Sequence, residues 1–245
     1  MQIKRSREDI LQAKTVLGVA AHADDLDFTA AGTIAKMAAN GAEVYYLILT
    51  DGSKGSADIF AGNQDLAKRR RDEQCDAAKA LGVKEVFFLG YEDGRLEVTM
   101  ELKRDIVRYI RRLQPQVVIA FDPSMFYDAE QGIINHPDHR ACGQATLDAV
   151  YPLARDHLSL PELFNDEGLE PHKVTTVLLS NFERHNYSVE INDMLDKKLQ
   201  AIACHVSQVA DTAEILTRFT ERAVRAGEPD GYSYAEQFVR IDVWP

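Results

Sequence analysis

Along this chain, apolar runs of strand length alternate with amphipathic runs of helix length. TVLGVAA (15–21), AEVYYLILT (42–50), EVFFLG (85–90), QVVIAFDP (116–123) and KVTTVLLSNF (173–182) are the apolar runs. They show little polar alternation, as strands do when both faces of their sheet are covered. Between them the spacing predicts helices over 29–41, ended by Asn40-Gly41, over 64–82, closed by Gly82, and over 101–114, stopped by Pro115. A further helix over 136–151 has Pro137 near its start, where a missing N–H costs nothing. Helical patterns also cover 191–204 and 213–226. This rhythm predicts an α/β fold, a Rossmann-like three-layer sandwich whose sheet is mostly parallel with helices on both faces. Residues 152–172 hold three of the eight prolines and read as an irregular insertion, so one domain over 1–245 is expected.

Composition narrows the class. An apolar content of 45% over 245 residues is enough for a proper core. No apolar stretch approaches the ~20 residues of a membrane-spanning helix. The opening MQIKRSREDI carries no hydrophobic signal segment. Cys75, Cys142 and Cys204 stand far apart, as reduced thiols of a cytoplasmic protein do. The net charge of −11 argues against nucleic acid as a partner, and KRRR at 68–71 is the one tight basic cluster. The expectation is a cytoplasmic protein that takes a small molecule and binds neither nucleic acid nor membrane.

In an open parallel sheet, ligands bind beyond the carboxyl ends of the strands. The segments that follow the five strands are HADDLD (22–27), DGSKGS (51–56), YEDGRLE (91–97), DPSMFYDAEQGIINHPDH (122–139) and ERHNY (183–187). Acids and histidines thus collect on one edge. His22 and Asp25 are three apart at a strand-to-helix turn, and His136 and His139 share that spacing at another helix start. Such a donor set suits Zn²⁺ or another divalent first-row metal. A cation would also offset the several kcal/mol that each buried carboxylate costs. Each cluster alone has a plainer reading, with Asp24 or Asp25 as a helix cap and His136 as a polar residue beside a proline turn. Two such clusters at matching edges favour the metal. A dinucleotide site fits poorly, because the first turn lacks G-x-G-x-x-G and places Asp24, Asp25 and Asp27 where a phosphate would sit.

AHADD (21–25) with a distant HPDH (136–139) resembles the PIG-L/LmbE-like family of zinc-dependent N-deacetylases. The usual form is AHPDD followed after one residue by Glu; here Ala23 replaces the proline and Asp27 the glutamate. TDGSKGS (50–56), RRDE (70–73), LGYEDGRL (89–96), KLQAIACHVSQ (198–208) and YAEQF (234–238) resemble further family segments in the right order. The resemblance implies zinc held by His22, Asp25 and His139, with Asp24 as general base. It implies His136 as a second catalytic group, oriented by Asp138 and kept protonated by it. Arg70 and Asp93 match positions that contact sugar hydroxyls, and the implied assembly is a homo-oligomer, trimer or hexamer. The expected activity is removal of the N-acetyl group from a small N-acetylglucosamine-type sugar or conjugate through metal-activated water. Two alternatives are an amidase of the same fold acting on a larger acyl amide or thiol conjugate, and a non-catalytic metal-dependent carbohydrate binder. Asp24 and His136 speak against the binder, since neither is needed to hold a metal. Cys142 is expected in the core. His185 and His205 are left as possible pocket residues.

Overall fold

The computed structural model describes residues 9–56, 62–129, 132–209 and 211–244. Strand β1 (Thr15–Ala20) leads to helix α1 (Asp25–Ala39), β2 (Glu43–Thr50) to α2 (Asn63–Leu81), and β3 (Glu85–Tyr91) to α3 (Met100–Leu113). After β4 (Val117–Phe121) comes a short pair, β5 (Tyr127–Asp128) and β6 (Ile133–Ile134), then α4 (Pro137–Asp148) and the short α5 (Pro161–Asn165). The rest is β7 (Thr176–Ser180), β8 (Tyr187–Glu190), α6 (Leu195–Cys204), α7 (Thr212–Gly227) and β9 (Ala235–Asp242).

Seven strands form one sheet in the order β3-β2-β1-β4-β7-β9-β8. The pairs β1–β2, β2–β3, β1–β4 and β4–β7 are parallel, and β9 runs antiparallel to both β7 and β8. The fold is therefore α/β with a mostly parallel sheet. Side chains alternate across each strand, which divides the core in two. Val16, Ile34, Tyr46, Leu81 and Phe238 pack on one face. Leu17, Val19, Leu47, Ile106 and Leu179 pack on the other. With both faces covered, the sheet needs the continuous apolar runs seen in the sequence.

Four elements depart from the sequence pattern. Helix α1 starts at Asp25 rather than 29, since two aspartates occupy its first turn. Helix α4 gives way after Asp148 to a wider turn over 149–153. Strands β8 and β9 are additions to the five expected. The 152–172 segment is irregular apart from α5, and α3 pins it. Buried Arg111 donates to the carbonyls of Leu153, Ala154, Asp156 and Leu160. Among the described residues, no helix is long and apolar enough to cross a membrane.

Strand order reverses between β1 and β4, which both continue parallel but lead to opposite sides of the sheet. That reversal opens a crevice at their carboxyl ends. His22 and the loop leading to His139 follow these two strands.

Candidate metal centre and active site

The turn after β1 is unusual. Asp24 has φ 87° and ψ −32°, a conformation that costs an L-residue about 1–2 kcal/mol. Neighbours hold it there. The Asp24 N–H donates to Gln74 Oε1 at 2.8 Å, and Arg70 Nη2 donates to the Ala23 carbonyl at 3.0 Å and to Asp24 Oδ2 at 3.3 Å. Asp25 is then the first residue of α1, where the helix dipole favours a negative charge.

Asp25 joins the two histidine clusters. Its Oδ1 lies 3.0 Å from His139 Nε2, and its Oδ2 lies 3.5 Å from His22 Nδ1 while accepting the His22 N–H at 2.8 Å. Ligands about 2.0–2.1 Å from one cation stand about 3.3 Å apart in a tetrahedron, and these two separations bracket that edge. The ring nitrogens of His22, His136 and His139 also lie within 4.8 Å of one another. A second set overlaps the first, with His22 Nε2 3.3 Å from both Asp93 Oδ1 and Asp138 Oδ2. The donors present therefore fit a divalent cation. His139 is held from behind, its ring stacked on Phe121 at 4.1 Å and its Nδ1 3.1 Å from Asn135 Oδ1.

Charge here is closely balanced. Burial works against a charged His22, yet the Asp25 charge and hydrogen bonds to Asp138, Asp25 and Asp93 push its pKa up to about 12. Burial raises Asp25 as well, but His139 and His22 overrule it and hold the carboxyl well below its usual range. Asp24 goes the other way: burial and the Asp25 charge push it up to about 7, against the pull of Arg70.

Of the residues picked from sequence, His22, Asp24, Asp25, Arg70, Asp93, Asp138 and His139 are brought together, and His136 sits against His22 with ring centroids 4.8 Å apart. The expected pairing of Asp138 with His136 is not formed. Side chains two apart at a helix start point away from each other. His136 Nδ1 accepts instead from the Asp138 backbone N–H at 3.2 Å. The Asp138 carboxylate turns to His22 and accepts from the Gly94 and Leu96 N–H groups at 2.7 and 3.2 Å. His136 accordingly does not gain a raised pKa; burial and the neighbouring histidines lower it. Arg70 and Asp93 are each only 5% exposed and face protein partners: Arg70 Nη1 donates to Lys54 O at 3.1 Å, and Asp93 Oδ2 accepts from the Lys54 N–H at 3.0 Å. Cys142 is buried in the core, as expected.

Sequence reasoning missed a supporting layer. Gln74 stands one helical turn beyond Arg70 and is fully buried; the i, i+4 spacing to Arg70 was the available signal. Its Nε2 donates to Asp27 Oδ2 at 2.7 Å. Asp27 also accepts from Tyr46 Oη at 3.1 Å and pairs with His205 Nε2 at 2.8 Å. Asp27 and His205 are thus anchors inside the protein. His185 is 3.1 Å from Gln237 Nε2 on the exposed side.

The sequence profile of PIG-L, GlcNAc-PI de-N-acetylase, matches residues 17–150. The chain belongs to this family. A relative of nearly full coverage is the diacetylchitobiose deacetylase of Thermococcus kodakarensis, 34% identical over 94% of this chain and 84% of its own length. Another PIG-L relative is the probable N-acetyl-alpha-D-glucosaminyl L-malate deacetylase 2 of Bacillus anthracis, 31% identical over 85% of this chain and 88% of its own. Among solved structures, N,N'-diacetylchitobiose deacetylase from Pyrococcus horikoshii, complexed with an inhibitor, superposes with a TM-score of 0.87 at 32% identity, covering 98% of this chain and 88% of that one. This chain is accordingly an enzyme of a deacetylase family. Its match to the PIG-L profile includes AHADD and HPDH, the two motifs whose side chains converge on Asp25.

Proposed function

We propose that this protein, acting as one domain, is a zinc-dependent N-deacetylase of a small N-acetylglucosamine-type sugar or sugar conjugate. The observation that carries the reading is Asp25 standing between His22 and His139 at tetrahedral-edge distances in a chain of this family. In this reading His22, Asp25 and His139 hold the metal, and a bound zinc supplies the Lewis acidity that makes water nucleophilic at neutral pH and polarises the amide carbonyl. Asp24 accepts the proton of the attacking water at its carboxylate. Burial beside Asp25 moves its affinity for that proton toward neutrality, as a general base requires. Arg70 keeps the Asp24 carboxylate aimed. His136, open on one side, donates a hydrogen bond to the developing oxyanion, and Asp24 passes the proton it took from water to the departing amine. Asp138 orients the ring of His22, as carboxylates behind metal-binding histidines do. Arg70 and Asp93, the expected sugar contacts, are taken up by protein partners and act in this reading through Asp24 and His22.

A homo-oligomer, trimer or hexamer, and a cytoplasmic setting belong to the same reading. Exposed Phe126, Tyr127 and Ile134 around the β5–β6 pair give a second copy an apolar surface to cover, and all three cysteines are free thiols. The deciding experiment measures acetate release from a panel of N-acetylglucosaminides by the zinc-loaded protein, with zinc content measured in His139→Ala. Release from at least one sugar together with loss of zinc in the variant is expected. Silence across the panel would point to other amides, and unchanged zinc in His139→Ala would remove that residue from the ligand set.

A further inference from the structure

A second cavity of about 500 Å³ lies beside the candidate site, between α7, the end of β7 and the start of α1. Two of its wall residues are linked to the site's framework, one through a backbone carbonyl and one through a chain neighbour. Thr29 donates its hydroxyl to the Asp25 carbonyl at 2.8 Å, one helical turn from the proposed ligand. Asn181 donates to Asp122 Oδ2 at 2.7 Å, and Asp122 immediately follows the Phe121 ring that backs His139. Aromatic side chains give the cavity its shape: Phe28 stacks on Phe219 at 5.1 Å, and Phe182 lies under the Arg222 guanidinium at 4.3 Å.

The charges around this cavity do not cancel. In a chain of net charge −11, Lys198, Arg218, Arg222 and Arg225 line it against two carboxylates, Glu221 and Glu236. Lys198 is matched by Glu236 at 2.5 Å, and Arg225 lies 3.9 Å from Glu221. Glu236 is further engaged by the Gly32 and Thr33 N–H groups, and its charge acts on Arg222 from beyond ion-pair distance. Arg218 and Arg222 have neither an ion pair nor a hydrogen bond among the described residues. Arg222 is half-buried, which works against its charge. A guanidinium fork held over an aromatic ring and lacking an acceptor suits bidentate binding of a planar carboxylate or a phosphate. A cavity that combines aromatic side chains with the Arg222 fork and a second unpaired guanidinium, Arg218, suits a sugar conjugate with an acidic end.

We infer that this cavity is an anion subsite that receives a carboxylate or phosphate on the group attached to the amino sugar, with Arg222 as its principal contact and Arg218 at its mouth. The enzyme then selects acidic conjugates over neutral ones. The inference rests on the deacetylase reading for the identity of the sugar, while the anion subsite rests on the cavity alone.

The test compares three N-acetylglucosaminides with aglycones of similar size: one neutral, one bearing a carboxylate and one bearing a phosphate. Zinc-loaded wild type, Arg222→Met, Arg222→Lys and Arg218→Gln are assayed for acetate release. At least one acidic glycoside should exceed the neutral one about tenfold or more in kcat/KM, chiefly through KM, and whichever acidic arm responds identifies the anion. Arg222→Met should bring that ratio to within about twofold of unity while leaving turnover of the neutral glycoside unchanged. Arg222→Lys should keep part of the preference, and Arg218→Gln, on an exposed position, should lower it without affecting folding. No acidic preference in wild type, or a preference that survives Arg222→Met, would overturn the subsite. If no glycoside releases acetate, the deacetylase reading fails by itself. Calorimetric binding of the same glycosides then decides the subsite: tighter acidic binding that Arg222→Met abolishes supports it, and equal binding of all three removes it.

Discussion

Asp24 shows how much of the site is decided by single residues. Its positive-φ backbone brings the carboxylate within reach of Arg70. The Gln74 amide that holds it can sit only one way round, because its oxygen must accept the Asp24 N–H and its nitrogen must donate to Asp27. Asp24→Asn keeps shape and all proposed metal ligands but removes the proton acceptor. Zinc content should match wild type while kcat falls about 10²–10⁴-fold; metal analysis alongside steady-state assays checks this, and wild-type turnover would take the general-base role from Asp24. The identities of the clustered residues were legible in the sequence, since acids and histidines after successive parallel strands must share one edge. Which of them face one another was not. The family resemblance implied Asp138 beside His136, whereas the turn of α4 sends that carboxylate to His22. Arg70, inside a run of four basic residues, had the appearance of a solvated position but is buried.

At the scale of elements, the lesser family motifs act as clamps. Lys198 on α6 meets Glu236 on β9, Glu73 on α2 accepts from Ser207 after α6, and His205 at the end of α6 pairs with Asp27 on α1. The last of these makes a pH-dependent tie. Burial disfavours a charged His205, but the hydrogen bond and charge of Asp27, with Asp24 and Glu73 behind it, raise its pKa above 6.5. A base raised on folding stabilises the protein fully below its unfolded value of about 6.5, and that contribution fades as pH climbs through the folded value. The stability lost in His205→Gln should therefore be largest near pH 5.5 and smallest near pH 9, measured as urea midpoints. A loss independent of pH would mean that packing alone holds the joint. Strands β1 to β4 and β7 were readable as apolar runs because both their faces are covered. Strands β8 and β9 were not. β8 is four residues long and half-exposed, and β9 carries Glu236 and Arg240 on inward positions, which breaks the apolar pattern that marks a strand.

For the molecule as a whole, the candidate centre gathers chain from the turn after β1, the loop after β3 and the start of α4, so a bound cation cross-links segments far apart in sequence. Ligand that binds only the folded state adds stability by mass action. Free zinc at a hundred times its Kd should raise the unfolding free energy by about 2.7 kcal/mol, and removal by a chelator should reverse the gain. Uptake at pH 7 should also release protons, because His22 must give up its own to coordinate; calorimetry in buffers of different ionisation enthalpy reads that release. A chelator without effect on the melting transition would mean that the acids are neutralised by histidine alone. The parallel α/β plan could be read from rhythm, yet the closure of the sheet by β9 depends on contacts that no local pattern carries. Glu236 binds amides of α1 some 204 positions earlier. At about 5–20 residues per second, a ribosome delivers the helix carrying Asp25 some 10–40 s before the strand that braces it. A nascent chain stalled before residue 236 is therefore expected to carry AHADD and HPDH while still lacking the carboxylate that braces α1.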